Sequence, residues 1–121
     1  MGLTKAQIRL AESYEKGEGC DADMKQALYW YQKAADGGDT TAQNSLANTY
    51  YFGRGVTKNY EEAVKWFLRA AEQGNAAAQN NLGVCYRDGA GLKKDKEEAI
   101  KWFRKSAEQG NSTAKRNLSK M

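Results

Sequence analysis

Apolar side chains recur along this chain at the spacing of a helix. Ala27, Tyr31, Ala34 and Ala35 stand at i, i+4, i+7 and i+8 with Trp30 alongside, and Ala63, Trp66, Phe67, Ala70 and Ala71 repeat the arrangement. Ala42, Leu46, Ala47 and Tyr50 form a second stripe, again on one face. Such spacing makes one side of a helix apolar and leaves the other to polar residues. Helix starts are marked by Asp23, Asn59 and Asp95, each three residues before Gln or Glu, and by Thr4 and Thr40 three residues before Gln7 and Gln43. A side-chain oxygen placed so accepts a bond from a backbone N–H that the first turn leaves unpaired. Gly38, Gly74 and Gly110 stand where these helices end, a position that favours a left-handed residue. The pattern predicts helices over 4–16, 23–36, 40–52, 59–72, 76–88, 95–108 and 112–120.

The helices come in a repeating order. Alanine occupies 6, 42, 78 and 114, leucine 10, 46, 82 and 118, tyrosine 14, 50 and 86, and tryptophan 30, 66 and 102, always at an interval of 36 residues. Segments 39–74 and 75–110 are identical at 18 of 36 positions. One helix pair cannot bury its own stripe, so consecutive pairs must stack. The expected fold is all-α: a right-handed α-solenoid forming a single domain, with repeats at 3–38, 39–74 and 75–110 and a C-terminal capping helix over 111–121. That last segment keeps the core slots Ala114 and Leu118 but is otherwise rich in Lys115, Arg116, Asn117 and Lys120, as a polar cap should be. The outer face of the first repeat has no such cover, so the expected state is a monomer or a weak end-to-end self-associating chain.

Composition narrows the function. The chain has no histidine, no proline and two cysteines in 121 residues, so the usual general base near neutral pH is absent and neither a Cys/His zinc site nor a disulfide framework can be assembled. No catalytic residues, metal or cofactor are expected. No apolar run long enough to span a membrane and no signal peptide is visible, which with reduced thiols points to a cytoplasmic setting. Net charge is +4, distributed as −1 over 1–38, zero over 39–74, +2 over 75–110 and +3 over 111–121. An acidic partner should therefore prefer the C-terminal end. Nucleic acid is the weaker alternative, because Asp88, Asp95, Glu97, Glu98 and Glu108 interrupt the basic surface.

Three other patterns have structural explanations. The Gly-x-Gly pairs at 53/55 and 89/91 lack the third glycine and the Gly-Lys ending of a phosphate loop, and are expected to be inter-helix turns. Glu61–Glu62 and Glu97–Glu98 sit in first turns near Lys65 and Lys101, which accounts for them without acid–base chemistry. Cys20 and Cys85 occupy unrelated slots and are expected to be small buried hydrophobes, the alternative being a regulatory thiol pair.

The blocks at 78–86, 97–103 and 106–111, with Gly89 and Gly91 between the first two, resemble the Sel-one-like repeat, a relative of the tetratricopeptide repeat. The likeness extends over 4–120. It implies a non-catalytic scaffold or adaptor that binds a peptide or protein segment, the first helix of each repeat lining the concave face; an engineered or excised array with no partner of its own is the other reading. Cys20 and Cys85 depart from the cysteine-paired secreted branch.

Positions on that face lie off the core stripe and vary between copies. They are Ile8, Glu12 and Glu15 in the first repeat, then Asn44, Asn48, Tyr51 and Phe52 in the second. The third supplies Asn80, Val84, Arg87 and Asp88, and the cap Arg116 and Lys120. The asparagines can bond a peptide backbone through donor and acceptor alike; the cations suit a carboxylate. Nine of thirteen aromatics fill recurring slots and are expected in the core, whereas Tyr29, Tyr51, Phe52 and Tyr60 do not recur. Tyr51 and Phe52 stand where the sister repeats carry charged residues, so they mark either a binding hot spot or local packing into the adjoining turn.

Overall fold

The computed structural model describes residues 24–121. Six helices fill this span: α1 Met24–Asp36, α2 Thr40–Phe52, α3 Tyr60–Glu72, α4 Ala76–Asp88, α5 Lys96–Glu108 and α6 Ser112–Ser119, with no strand among the described residues. Each packs on its neighbours in sequence, most closely within the pairs α2–α3 and α4–α5. The architecture is an α-solenoid. The helix expected over 4–16, with Ile8, Glu12 and Glu15, and the thiol of Cys20 lie outside the described residues.

Helix boundaries follow from caps. Asn59 and Asp95 act as expected, accepting from the N–H of Glu62 at 3.0 Å and of Glu98 at 3.2 Å. At α2 the expectation is corrected: Asp39 rather than Thr40 is the cap, its carboxylate accepting from Ala42 N–H at 2.9 Å. Asn75 and Asn111 do the same for α4 and α6, at 2.8 and 2.9 Å. Each such cap contributes on the order of 1 kcal/mol. Gln43 is thereby released for another task. Its amide donates to the carbonyl of Ala35 at 3.2 Å and its oxygen accepts from Gln73 at 3.1 Å. Gln79 repeats this with Ala71 at 3.1 Å and Gln109 at 2.9 Å. A buried carbonyl at the end of one helix pair is thus satisfied by the next, which avoids the penalty of an unpaired acceptor.

The recurring apolar slots form the core. Phe67, Phe103, Leu46 and Leu82 are fully buried, and Tyr31, Trp66 and Trp102 nearly so. The Phe103 ring lies so close to Gly83 that a Cβ there would come within 2.7 Å of its edge. On the outer side Lys65 and Arg69 cover the Trp66 ring at 5.2 and 4.8 Å, while Lys101 and Lys105 cover Trp102 at 5.8 and 4.5 Å. At the C-terminal end Ala114 of α6 closes a cluster with Ala99 and Phe103, joined by Leu118.

The Gly-x-Gly segments are turns. Gly89 ends α4 in the left-handed conformation, φ +68°, its N–H returning to the Cys85 carbonyl. Gly91, φ +79°, sits against the Tyr60 backbone at the start of α3, and a Cβ there would collide with it. Gly91→Ala is expected to lower unfolding stability by about 2 kcal/mol or more in a urea titration, combining left-handed strain with that collision. Gly110→Ala, with open space around it at φ +91°, is expected to lose only about 1 kcal/mol. Equal losses at both sites would contradict the close approach.

Cys85 is buried and free. Removal from water, and secondarily the Asp88 charge, push its thiol up to about 12 from 9.0. The folded state therefore favours the protonated thiol, and this contribution is complete below pH 9 and lost as pH rises from there toward 12. The native protein should resist alkylation near pH 8 and react once unfolded. Its unfolding free energy should fall above pH 9 more steeply than that of Cys85→Ala.

Candidate partner-binding face

Helices α2, α4 and α6 stand side by side, each turning its stripe inward and a variable face outward. Between α2 and α4 lies an open cleft of about 310 Å³. Five of the residues expected on the binding face meet there: Asn48, Tyr51 and Phe52 from α2, Val84 and Arg87 from α4. Asp88, also expected, joins them, and Phe67 and Asn81 complete the wall. Phe67 escapes a sequence reading because its slot is a core slot in every copy; its ring is buried, yet one edge reaches the cleft.

The non-recurring aromatics explain one another. Tyr51 packs on Phe52 with ring centres 5.0 Å apart, on Tyr60 at 5.0 Å and on Phe67 at 6.3 Å. Local packing and exposure coexist here. Tyr51 is half-buried, whereas Phe52 is 56% exposed, with Arg54 over its ring at 5.1 Å. Burial raises the Tyr51 phenol above its ordinary range, helped by the neighbouring Cys85 and Asp88. Tyr60 belongs to the same cluster; its absence from sister slots was the available signal.

Asn44 and Asn80 are placed differently from the expected groove lining. Asn81 donates its amide to the Asn44 oxygen at 3.0 Å, and Asn117 donates to Asn80 at 2.9 Å. These bonds tie α2 to α4 and α4 to α6, and Asn80 is only 7% exposed. Their side-chain oxygens are occupied in holding first helices together because the slot faces the adjacent helix. Asn117→Ala would strand the Asn80 carbonyl and is expected to lower stability by about 1–3 kcal/mol in chemical denaturation. The exposed neighbour change Arg116→Ala should stay within about 0.5 kcal/mol.

Arg87 is also partly engaged. Its Nε and Nη2 donate to the two Asp88 oxygens at 2.9 and 3.2 Å. The Arg87 bond, supported by the Lys94 charge, holds the Asp88 carboxyl below its ordinary range. The same bond raises the Arg87 guanidinium. This pair forms a ridge with a second cleft of about 320 Å³ on its other side, lined by Lys94, Lys96, Lys120 and Met121. Lys120 faces that cleft; Arg116 is exposed on α6 and lines neither. Among the described residues no cluster of three potential metal ligands occurs, and no helix is long and apolar enough to cross a membrane.

A stack of capped helix pairs with a variable outer face defines a helical-repeat solenoid of the tetratricopeptide-like kind. More narrowly, the chain belongs to the Sel1 repeat family: the Sel1 repeat matches residues 4–39, 40–75 and 76–111. Members of this family are generally protein-interaction scaffolds. Its fold is similar to the crystal structure of a Sel1 repeat protein from Oxalobacter formigenes, TM-score 0.90 and 38% identity over 99% of this chain and 90% of that one. It is also similar to c5321, a protective antigen of uropathogenic Escherichia coli strains with an SLR fold. There the TM-score is 0.91 and the identity 42%, over 93% of this chain and 24% of that one. Helicobacter pylori cysteine rich protein B, 20% identical at TM-score 0.75, shares the fold. A 38-residue stretch is 53% identical to the chitin synthase regulator SKT5 of Saccharomyces cerevisiae; it spans 31% of this chain and 6% of that protein.

Proposed function

We propose that this chain is a non-catalytic adaptor whose first helices form a concave face that grips an extended segment of a partner protein, with the α2–α4 cleft as its centre. One observation carries the reading: Phe52 presents 56% of its surface to solvent beside an open cleft walled by the half-buried Tyr51 and Val84. An exposed aromatic beside an apolar cavity with a polar rim is the composition of an interface hot spot. Asn48 supplies that rim and can bond a peptide backbone through donor and acceptor alike; Asn81 also lines it while its amide N–H is held by Asn44. A non-catalytic role rests on the missing histidine, on a Cys85 thiol held protonated, and on a carboxylate, Asp88, neutralised by Arg87.

Phe52 is a cleaner probe than Tyr51, which also braces Tyr60 and Phe67. In the double variant Asn48→Ala/Phe52→Ala, proteins captured from the source organism's lysate by the wild-type chain should bind at least about tenfold more weakly. The melting temperature should hardly change, since both side chains stand at the cleft surface. Undiminished capture of the same proteins would reject the cleft as the centre of binding.

A further inference from the structure

The two clefts occupy equivalent places in successive repeats. A shift of 36 residues carries Tyr51, Phe52 and Tyr60 onto Arg87, Asp88 and Lys96, and Val84 onto Lys120. The slots of Tyr51 and Phe52, aromatic at the α2–α4 cleft, thus hold the Arg87–Asp88 pair at the next cleft, where the slots of Tyr60 and Val84 hold Lys96 and Lys120. In the second cleft four cationic side chains, Arg87, Lys94, Lys96 and Lys120, face one carboxylate side chain, Asp88, leaving +3 on the side chains. Both Asp88 oxygens are taken by Arg87. Lys94, Lys96 and Lys120 are exposed, and no carboxylate lies within ion-pair distance of them among the described residues.

From this juxtaposition we infer that the bound segment is bipartite: a large apolar side chain enters the α2–α4 cleft, and acidic side chains follow in the α4–α6 cleft. The inference rests on the adaptor reading and adds the partner's chemistry to it. Helices packed directly on one another stand about 10 Å apart, and successive first helices, linked through side-chain bonds, stand at least that far. An extended chain advances about 3.3 Å per residue, so the first acidic residue falls about three or more positions from the apolar anchor. The Arg87–Asp88 ridge divides the two subsites and carries no net charge, so it repels neither end. A peptide fits better than a nucleic acid. The first cleft offers no unpaired cation for a phosphate backbone, and its Tyr51, Phe52 and Val84 form an apolar wall for a single side chain. Lysine ammonium groups at an open rim act chiefly through charge, so they favour acidic segments in general and lose strength with salt.

The test is a random-peptide display selection on the whole chain, repeated on Lys94→Glu/Lys120→Glu and on Phe52→Ala. Wild-type selections should enrich peptides that place Asp or Glu about three or more residues from an aromatic or aliphatic residue. Charge reversal should remove the acidic enrichment and keep the apolar one. Synthetic peptides of the enriched kind should bind the reversed variant at least about tenfold more weakly at low salt, the gap narrowing as salt rises. The milder Lys94→Gln/Lys120→Gln pair, with an unchanged circular dichroism melt, guards against a folding artefact. Enriched peptides without an acidic excess, or with one that survives charge reversal, would overturn the bipartite assignment and leave the adaptor reading standing. Peptides that bind Phe52→Ala undiminished, or no enrichment at all, would overturn both. Binding of a generic single-stranded oligonucleotide as tightly as the peptides, abolished by the same reversal, would assign the basic cleft to nucleic acid instead.

Discussion

The structure depends on how closely the two helices of a pair can approach, which is set where a large ring meets a small residue. Phe103 of α5 lies against Gly83 of α4 with no room for a Cβ, and in the preceding pair Phe67 and Ala47 are buried in the equivalent slots. Small residues on one helix let the ring of the other fill the space between backbones, which gives native packing density without a wide interior. Alanine dominates the remaining stripe, as at Ala27, Ala34, Ala63, Ala70, Ala78 and Ala99, each wholly buried. Alanine also favours the helix itself. Propensity and packing therefore agree at the same positions, and that agreement makes the arrangement repeatable.

Close pairing has a consequence for polar groups. Helix ends brought near one another carry carbonyls that water reaches poorly, and those of Ala35 and Ala71 are given side-chain partners. Gln43 and Gln79 serve that purpose between consecutive helix pairs, while the side-chain bonds Asn44–Asn81 and Asn80–Asn117 tie successive first helices to one another. A hydrogen bond of this kind adds modest net stability, but its register is strict, because a shifted neighbour would leave both partners unsatisfied. The outer face is left free of such duties. At the slots of Tyr51, Phe52 and Tyr60 the next repeat can substitute Arg87, Asp88 and Lys96 without disturbing the stack. A fixed frame with interchangeable surface slots is what allows a binding module to vary its partner.

Much of the fold was legible because its signals are local and repeated. Spacing of Ala, Leu, Trp and Phe gave the helices, and Asn59 and Asp95 began two of them where expected. The capping of α2 was misplaced by one residue because Thr40 and Gln43 satisfy a local motif equally well; Gln43 is drawn away by the Ala35 carbonyl, eight residues back, a contact no short window contains. The candidate face was legible in part. Tyr51 and Phe52 stood out against their charged counterparts, and Tyr60 gave the same signal. Asn80 looked like a surface amide, since nothing in its neighbours shows that Asn117, 37 residues on, would cover it.

Helix content, repeat length, cap chemistry and the division between core and surface slots were determined by the sequence alone, because each follows from the side chains within a turn or two of one another. Only the tertiary structure decided which surface slots share a cavity. It set the Phe67 edge beside Phe52, turned Asn44 and Asn80 toward neighbouring helices, joined Arg87 to Asp88, and gathered Lys94, Lys96 and Lys120 around one cleft. The physical reason is geometric. Residues a repeat apart become neighbours only through the angle and distance at which successive helix pairs stack, and those depend on the fit of many buried side chains at once.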